Sequence, residues 1–387
     1  MSEPSAVVTA RGAERITGGH LWIYRSDVRS SKAEPGDVVR VIDERGRLVG
    51  RAFWSSRSQI ALRFLTRRDE PVDRAFLAQR IAAAAAYRAR VVEDTDSFRL
   101  IYGEADLLPS IVVDRYGDLL VIQTLSQGAE KHKAEIVEIL KEQFSPRGIL
   151  ERNDPKARLL EDLPQSISVL HGEVPEHAFT TMNSVRFRLD LRGGQKTGVF
   201  LDQRENYRAA AHHVRGEVLD CFSYHGGFAL HAARQATAVE AVDISGDALA
   251  VARTNTELNG ASHVTFREGN VFDVLKEYDQ AGRKFDAVIL DPPAFAKSRA
   301  VLDAALRGYK EINLRAIRLL RPGGVLVTCS CSYHVSEARF GETLWEASVD
   351  LERPLRVIEK RGPSRDHPGL LTVPETMYLK CLIMGMM

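Results

Sequence analysis

Cysteine is scarce: Cys221, Cys329, Cys331 and Cys381 are the only four in 387 residues. So few, so unevenly placed, exclude a disulfide framework and fit a reducing compartment, the cytoplasm. Cys329-Ser-Cys331 is not a zinc spacing and no second Cys/His cluster completes one, so no metal is expected. No stretch approaches ~18 uninterrupted apolar residues, which argues against a membrane span. Met1 to Arg11 lacks the apolar core of a signal peptide. There is no internal repeat, and no low-complexity tract beyond the alanine run 82–86.

A large net charge is missing too, since the chain carries only +1, but the balance is uneven. Through Arg68 there are thirteen Lys and Arg against seven Asp and Glu, a local +6, leaving −5 for the remainder. A basic front end on a mildly acidic body points to a polyanionic partner, although a solvated basic surface would read the same way.

The length exceeds one ordinary core and predicts two or three domains. Residues 1–68 read as a small β-rich module. Alternating runs at 37–42 and 48–53 flank the turn Asp43-Glu-Arg-Gly46, and 59–65 forms another strand. Residues 69–185 read as a middle α+β domain, with helices over 72–93 and 129–144, a hairpin at 107–113 and 119–124, and strands near 148–151 and 185–191. Residues 186–387 change character. Strands at 217–221, 238–243, 264–266, 285–291 and 324–328 alternate with helices, the pattern of a doubly wound, largely parallel α/β sheet. Runs at 355–359 and 377–384 would add two strands.

Val218-Leu-Asp-Cys-Phe-Ser-Tyr-His-Gly-Gly-Phe228 reads as a strand, a glycine turn and a helix start. Such turns let backbone N–H groups approach a ligand, and in a doubly wound sheet ligands bind beyond the carboxyl ends of the strands. Asp243 ends the next strand, where a carboxylate can accept both hydroxyls of a ribose. A nicotinamide enzyme would use the same pair of features, but the segment lacks the Gly-x-Gly-x-x-Gly spacing that cradles a pyrophosphate. Gly269-Asn-Val-Phe272 follows the third strand, and Asp291-Pro-Pro-Ala-Phe295 ends the fourth.

This order of signals resembles the class I fold of S-adenosylmethionine (SAM)-dependent methyltransferases. The resemblance places Asp220 and Gly226 near the methionine end of SAM, Asp243 at the ribose, and Asn270 and Val271 at the adenine, with Phe222, Tyr224, Gly227 and Ile244 also in the cofactor pocket. Asn270 stands where many relatives have Asp. Gly323-Gly-Val-Leu-Val-Thr-Cys-Ser-Cys-Ser332 leaves the fifth strand, with Cys331 nearer the ligand edge than Cys329. A thiol is a strong nucleophile, although a lone cysteine is more often a small buried hydrophobe.

Further motifs are more distinctive: Gly194-Gln-Lys-Thr-Gly-Val-Phe-Leu-Asp-Gln-Arg-Glu-Asn206, Asp291-Pro-Pro-Ala-Phe-Ala-Lys297, Tyr309-Lys-Glu-Ile-Asn313, Ser330-Cys-Ser332 and Asp366-His-Pro368. With them, nearly the whole chain resembles the bacterial 23S ribosomal RNA (cytosine-5)-methyltransferases that carry an N-terminal PUA domain. That resemblance implies a PUA-like RNA-binding domain at 1–68 and a SAM-binding domain at 186–387. It implies 23S ribosomal RNA or an assembling large subunit as partner, and 5-methylcytosine as product. Cys331 would add to carbon 6 of a cytosine, and Asp291, also at the SAM pocket, would support the N3 and amino edge of the ring. Gln203 and Arg204 would belong to the cofactor pocket, unless their segment is only a connector. Many RNA cytosine-5 enzymes carry a second, product-releasing cysteine directly after Pro-Pro; here Ala294 stands there, so the releasing base is open, with Cys329, His334 and His367 in view. Lys196, Lys297 and Lys310 would meet phosphates or solvent. Trp22, Tyr24, Phe53 and Trp54 would stack on bases or fill the core of the small module.

Three other readings stay in view. An amino-group methyltransferase uses a similar Asn/Asp-Pro-Pro-aromatic signature without a cysteine. A non-catalytic RNA-binding factor could keep the fold. A nicotinamide dehydrogenase is disfavoured by the glycine spacing. Oligomeric state is open, a homodimer included.

Overall fold

The computed structural model describes residues 3–387 except Gln195, Lys196 and Lys297, with Arg299 described by its backbone alone. The chain forms two compact units whose segments interleave in sequence. The first comprises Met1–Thr180, Leu189–Gly198 and Asp366–Thr376, the second Thr181–Arg188, Val199–Arg365 and Met377–Met387.

The first unit holds two sheets. A six-stranded mixed sheet takes in Ser5–Val8, Trp22–Tyr24, Val28–Lys32, Val38–Asp43, Leu48–Trp54 and Ile60–Thr66. The hairpin at 37–53 forms as expected, with Val38 opposite Phe53. Phe53 and Trp54 are buried, so they serve packing. Trp22 and Tyr24 are half-buried; Trp22 donates its indole N–H to Glu104 at 2.9 Å, and the Arg15 guanidinium lies 4.7 Å from the Tyr24 ring centre. The second sheet has five strands, from Ser97–Tyr102 to Ser166–Gly172, backed by helices Arg74–Val91 and Lys133–Phe144. The helix expected over 129–144 is broken at His132, with a short helix Gln127–Lys131 capped by Ser126 before it. The strand expected at 185–191 does not join this sheet: Val185–Leu189 pairs with Ala178–Met182 as a separate ribbon.

The second unit carries a seven-stranded sheet of β1 (Gly216–Cys221), β2 (Ala236–Asp243), β3 (Val264–Glu268), β4 (Phe285–Leu290), β5 (Leu320–Ser330), β6 (Leu355–Arg361) and β7 (Lys380–Met386). Its spatial order is 3-2-1-4-5-7-6, with β1 to β5 parallel and β7 antiparallel to both neighbours. Six helices matter to the site: α1 (Arg204–His213), α2 (Gly227–Ala232), α3 (Gly246–Leu258), α4 (Val271–Gln280), α5 (Leu302–Leu319) and α6 (Glu337–Asp350). Both faces of the sheet are covered, which explains the continuous apolar runs Ala287-Val-Ile-Leu290 and Val325-Leu-Val327. Side chains alternate along β1: Leu219 and Cys221 enter the core under α4 and α5, while Val218 enters the core that contains α1 and α2. Asp220 shares the register of Val218 and is fully buried. Among the described residues no helix is long and apolar enough to cross a membrane, and no group of three or more His, Cys, Asp and Glu is placed to hold a metal.

Candidate active site

The candidate ligand site gathers at the carboxyl ends of β1 to β5. After β1 the chain turns sharply. Phe222 and Tyr224 adopt left-handed φ values of 64° and 49°, and Gly226, at 83°, starts α2. Non-glycine residues in that region store strain and concentrate at functional loops. Glycine at 227 has a different reason: a Cβ there would come within 2.5 Å of the Tyr207 ring. The turn is pinned by Ser223 N–H on the Val242 carbonyl (3.0 Å) and Gly226 N–H on the Ser223 carbonyl (2.8 Å).

Asp220 lies beneath this turn. Neither of its oxygens makes a well-formed hydrogen bond among the described residues, and burial, reinforced by Asp291 and only partly offset by the Ala229 N–H, pushes its carboxyl well above the usual carboxylate range. The Ser223 hydroxyl is likewise buried without a partner among the described residues. Buried polar groups are normally satisfied, so such a pair fits a cationic or polar ligand group.

At the end of β2, Asp243 accepts two backbone hydrogen bonds, from Tyr224 N–H and Ser245 N–H, each 2.9 Å. Each oxygen keeps lone pairs for a diol. Ile244 beside it is 69% exposed, an apolar surface on which a ring can rest. Asn270 is the N-cap of α4: its side-chain oxygen accepts from Phe272 N–H at 2.9 Å, so one acceptor lone pair is already engaged. Val271 is buried in the core. The residues fit SAM: Asp220 suits the ammonium of its methionine part, Asp243 its ribose and Ile244 its adenine.

The third corner brings distant segments together. Gln203 and Arg204 are almost fully buried. Gln203 donates to Asp291 Oδ1 at 2.8 Å and accepts from Asn206 at 2.7 Å, which fixes the carboxyl at the end of β4. Cys331 leaves the end of β5, half-buried, its Sγ 3.8 Å from the Pro292 carbonyl. A clasp holds this pair of loops. The buried Tyr309 hydroxyl meets both Ser330 and Ser332 Oγ at 3.0 Å, and Ser332 Oγ accepts from Ala296 N–H at 3.1 Å. The Tyr309 motif is thus a positioning element, legible in the sequence only as a string.

Sequence reasoning missed Lys380, the first residue of β7. It is 8% exposed, and its ammonium donates to the carbonyls of Ser332 and Tyr378, both at 2.7 Å. Burial lowers its pKa to about 8, while the neighbouring Cys331 and Glu337 pull the other way. The unfolded chain therefore keeps this proton up to about 10.4 while the native chain sheds it near 8. We expect stability to rise with pH between those values in the wild type and to lose that component in Lys380→Met, measured by denaturant titration across the range.

Other expected residues lie elsewhere. Cys329 is fully buried opposite Cys381, its thiol pushed up by burial, by that neighbour and by Asp291, against a partial offset from the Gln203 side chain. His334, half-buried, stays three residues from Cys331. His367 is buried in the first unit against Asp366 and Tyr102, where Asp366 accepts from Arg99 N–H at 2.8 Å. Lys310 is paired with Glu346 and Asp350. Lys196 and Lys297 lie outside the described residues.

Known proteins resemble this chain in sequence and fold. A family model for S-adenosylmethionine-dependent methyltransferases matches residues 161–360, and one for PUA-like domains matches 7–67. The ribosomal RNA large subunit methyltransferase I of Shewanella amazonensis is 41% identical over 94% of both chains. Its counterpart in Shewanella denitrificans is 40% identical over 96% of this chain and 97% of the relative. Among solved structures, a protein from Streptococcus mutans described as a SAM-dependent methyltransferase superposes with a TM-score of 0.84 at 18% identity, covering 98% of this chain and 99% of the other. Another, solved with SAH, gives 0.85 at 19% identity over the same shares, a likeness of fold. The chain belongs to the S-adenosylmethionine-dependent methyltransferases, is itself such an enzyme, and carries a PUA-like domain at its N-terminal end.

Proposed function

We propose that the protein methylates carbon 5 of a cytosine in 23S ribosomal RNA, in the cytoplasm, with Cys331 as nucleophile. The single observation that carries this reading is a half-buried thiol at the end of β5, beside the backbone of the Asp291-Pro292 segment. An amino-group methyltransferase has no use for a thiol there. The names of the Shewanella relatives support large-subunit ribosomal RNA as the substrate.

SAM, when bound, supplies an electrophilic methyl group. Asp220, Ser223 and the turn at 222–227 would hold its methionine end, Asp243 and Ile244 its ribose and adenine, and Asn270 and Val271 would close the adenine side. Gln203 acts by orienting Asp291, and Arg204, almost fully buried beside it, would belong to the cofactor pocket. The Cys331 thiolate adds to carbon 6, breaking the 5,6 double bond, and Asp291, protonated or sharing a proton with N3, donates that proton to N3 and accepts from the amino group as electron density shifts towards carbon 5. Once carbon 5 carries the methyl group, a base removes its proton and the carbon–sulfur bond breaks, restoring the double bond and the thiolate. With alanine at 294, Cys331 is the single nucleophile. The target base must leave its stack, at a cost of a few kcal/mol unless it is already unpaired.

Incubation with SAM labelled in the methyl group and 23S ribosomal RNA from undermodified ribosomes, followed by nucleoside digestion, is expected to place label in 5-methylcytidine. Label in an N-methylated nucleoside would transfer the proposal to amino-group chemistry.

A further inference from the structure

The first unit contains a cavity of about 480 Å³ that the chemistry above does not use. It opens where strand Ile60–Thr66 ends and helix Arg74–Val91 begins. On the helix, Phe76, Gln79, Arg80 and Ala83 face it, the i, i+3, i+4, i+7 stripe of one helical side. Arg67 and Arg68 line it just past the strand, and Leu107 adds apolar surface. The volume falls in the ~300–1,000 Å³ range of ligand sites.

Its charge is unbalanced. Among the described residues, the guanidiniums of Arg67, Arg68 and Arg80 make no hydrogen bond or ion pair, although the rest of this unit pairs most of its arginines. Nearby Asp69 is already held by Arg40 and Arg51. Glu70, the one carboxylate lining the cavity, accepts from Thr66. Burial holds the Arg80 guanidinium below its ordinary pKa, and Arg68 adds repulsion against a partial offset from Glu70. Arg68 and Arg80 repel each other and Arg67 lines the same cavity, so its lining sets three guanidiniums against one engaged carboxylate, an imbalance that an anion would offset. Arg80 also lies over the Phe76 ring, 5.1 Å from its centre, so its plane is pre-stacked on one side. An unstacked base can lie on an arginine plane or on apolar surface while its phosphate meets further guanidiniums.

We infer that this cavity binds one unpaired nucleotide of the RNA substrate, its base against Phe76, Arg80 and Leu107 and its phosphate between Arg67 and Arg68. The inference rests on the reading of RNA as substrate. It assigns the junction of the basic N-terminal module and the following helix a grip on the RNA that the methyl-transfer chemistry does not use.

The test measures binding of in vitro transcribed 23S ribosomal RNA to the full-length protein over a salt series, for wild type, Arg80→Ala, Arg67→Ala/Arg68→Ala and a control, Lys32→Ala, an exposed lysine of the same unit. The double variant is expected to weaken RNA binding about tenfold. It should also flatten the slope of log Kd against log salt by about 0.7 for each phosphate that is no longer neutralised. Arg80→Ala is expected to weaken binding several-fold with little change in slope, because it removes stacking more than ion release. SAM affinity and turnover at saturating RNA stay at wild-type values, which shows that the variants are folded. Wild-type affinity in all the cavity variants overturns the inference while leaving RNA as the substrate. Loss of equal size in Lys32→Ala also overturns it, in favour of a diffuse basic surface. Absence of salt-dependent RNA binding by the wild type overturns the RNA reading itself.

Discussion

Cys331→Ala is expected to reduce methyl transfer to cytosine by roughly 10³-fold or more while leaving SAM affinity near the wild-type value. Carbon 5 of cytosine is a poor nucleophile until a group adds at carbon 6, so removing the thiol removes the activating step itself. The side chain is half-buried, and its hydrogen bond to the Pro292 carbonyl is a weak one, as thiol donors give. Truncation should therefore leave the loops in place, held by Tyr309, Ser330 and Ser332. Single-turnover transfer of labelled methyl, read alongside calorimetric SAM binding, separates the two effects. Undiminished transfer in the variant would end the covalent mechanism. Equal loss of transfer and of SAM binding would mean that the variant had damaged the pocket instead.

The second large effect falls on the cofactor. Asp243→Ala is expected to weaken SAM binding by roughly 30- to 150-fold, or about 2–3 kcal/mol, the range of charge-assisted hydrogen bonds to a ribose diol. The carboxylate also receives Tyr224 and Ser245 N–H groups, so the truncation loosens the strained turn at 222–224. Asp243→Asn separates the contributions: its amide keeps one acceptor oxygen for a backbone N–H but loses the charge and half of the diol recognition, so its Kd should lie between those of wild type and alanine. Calorimetry with SAH should show the same ranking, because the ribose is common to both molecules. An unchanged Kd in the alanine variant would remove Asp243 from the ribose and leave it a purely structural cap.

Much of the site was legible before any fold was known. The alternation of strands and helices beyond residue 216, the glycine turn, the carboxylate ending β2 and Asp291-Pro-Pro each have local causes: apolar periodicity, a left-handed backbone position, or a residue at a strand end. Cys331 could be ranked above Cys329 because two residues along an extended strand move a side chain towards the ligand edge. Local pattern misled where a single residue broke it. His132 divides a helix whose amphipathic pattern continues across it.

Sequence by itself therefore determined the fold class, the order of the strands along the chain and the chemistry available at each strand end, since these depend on residues close together in the chain. Only the tertiary structure decided which buried polar groups meet. Gln203 reaches Asp291 across 88 positions, Tyr309 clasps the serines on both sides of Cys331, and Lys380 arrives beneath Ser332 because β7 runs antiparallel to β5. The Asp366-His-Pro368 motif, distinctive as a string, turned out to belong to the first unit, bonded to Arg99 and Arg88. The physical reason is the same in each case. A buried donor or acceptor must find a partner somewhere, but no local pattern states which distant residue that will be.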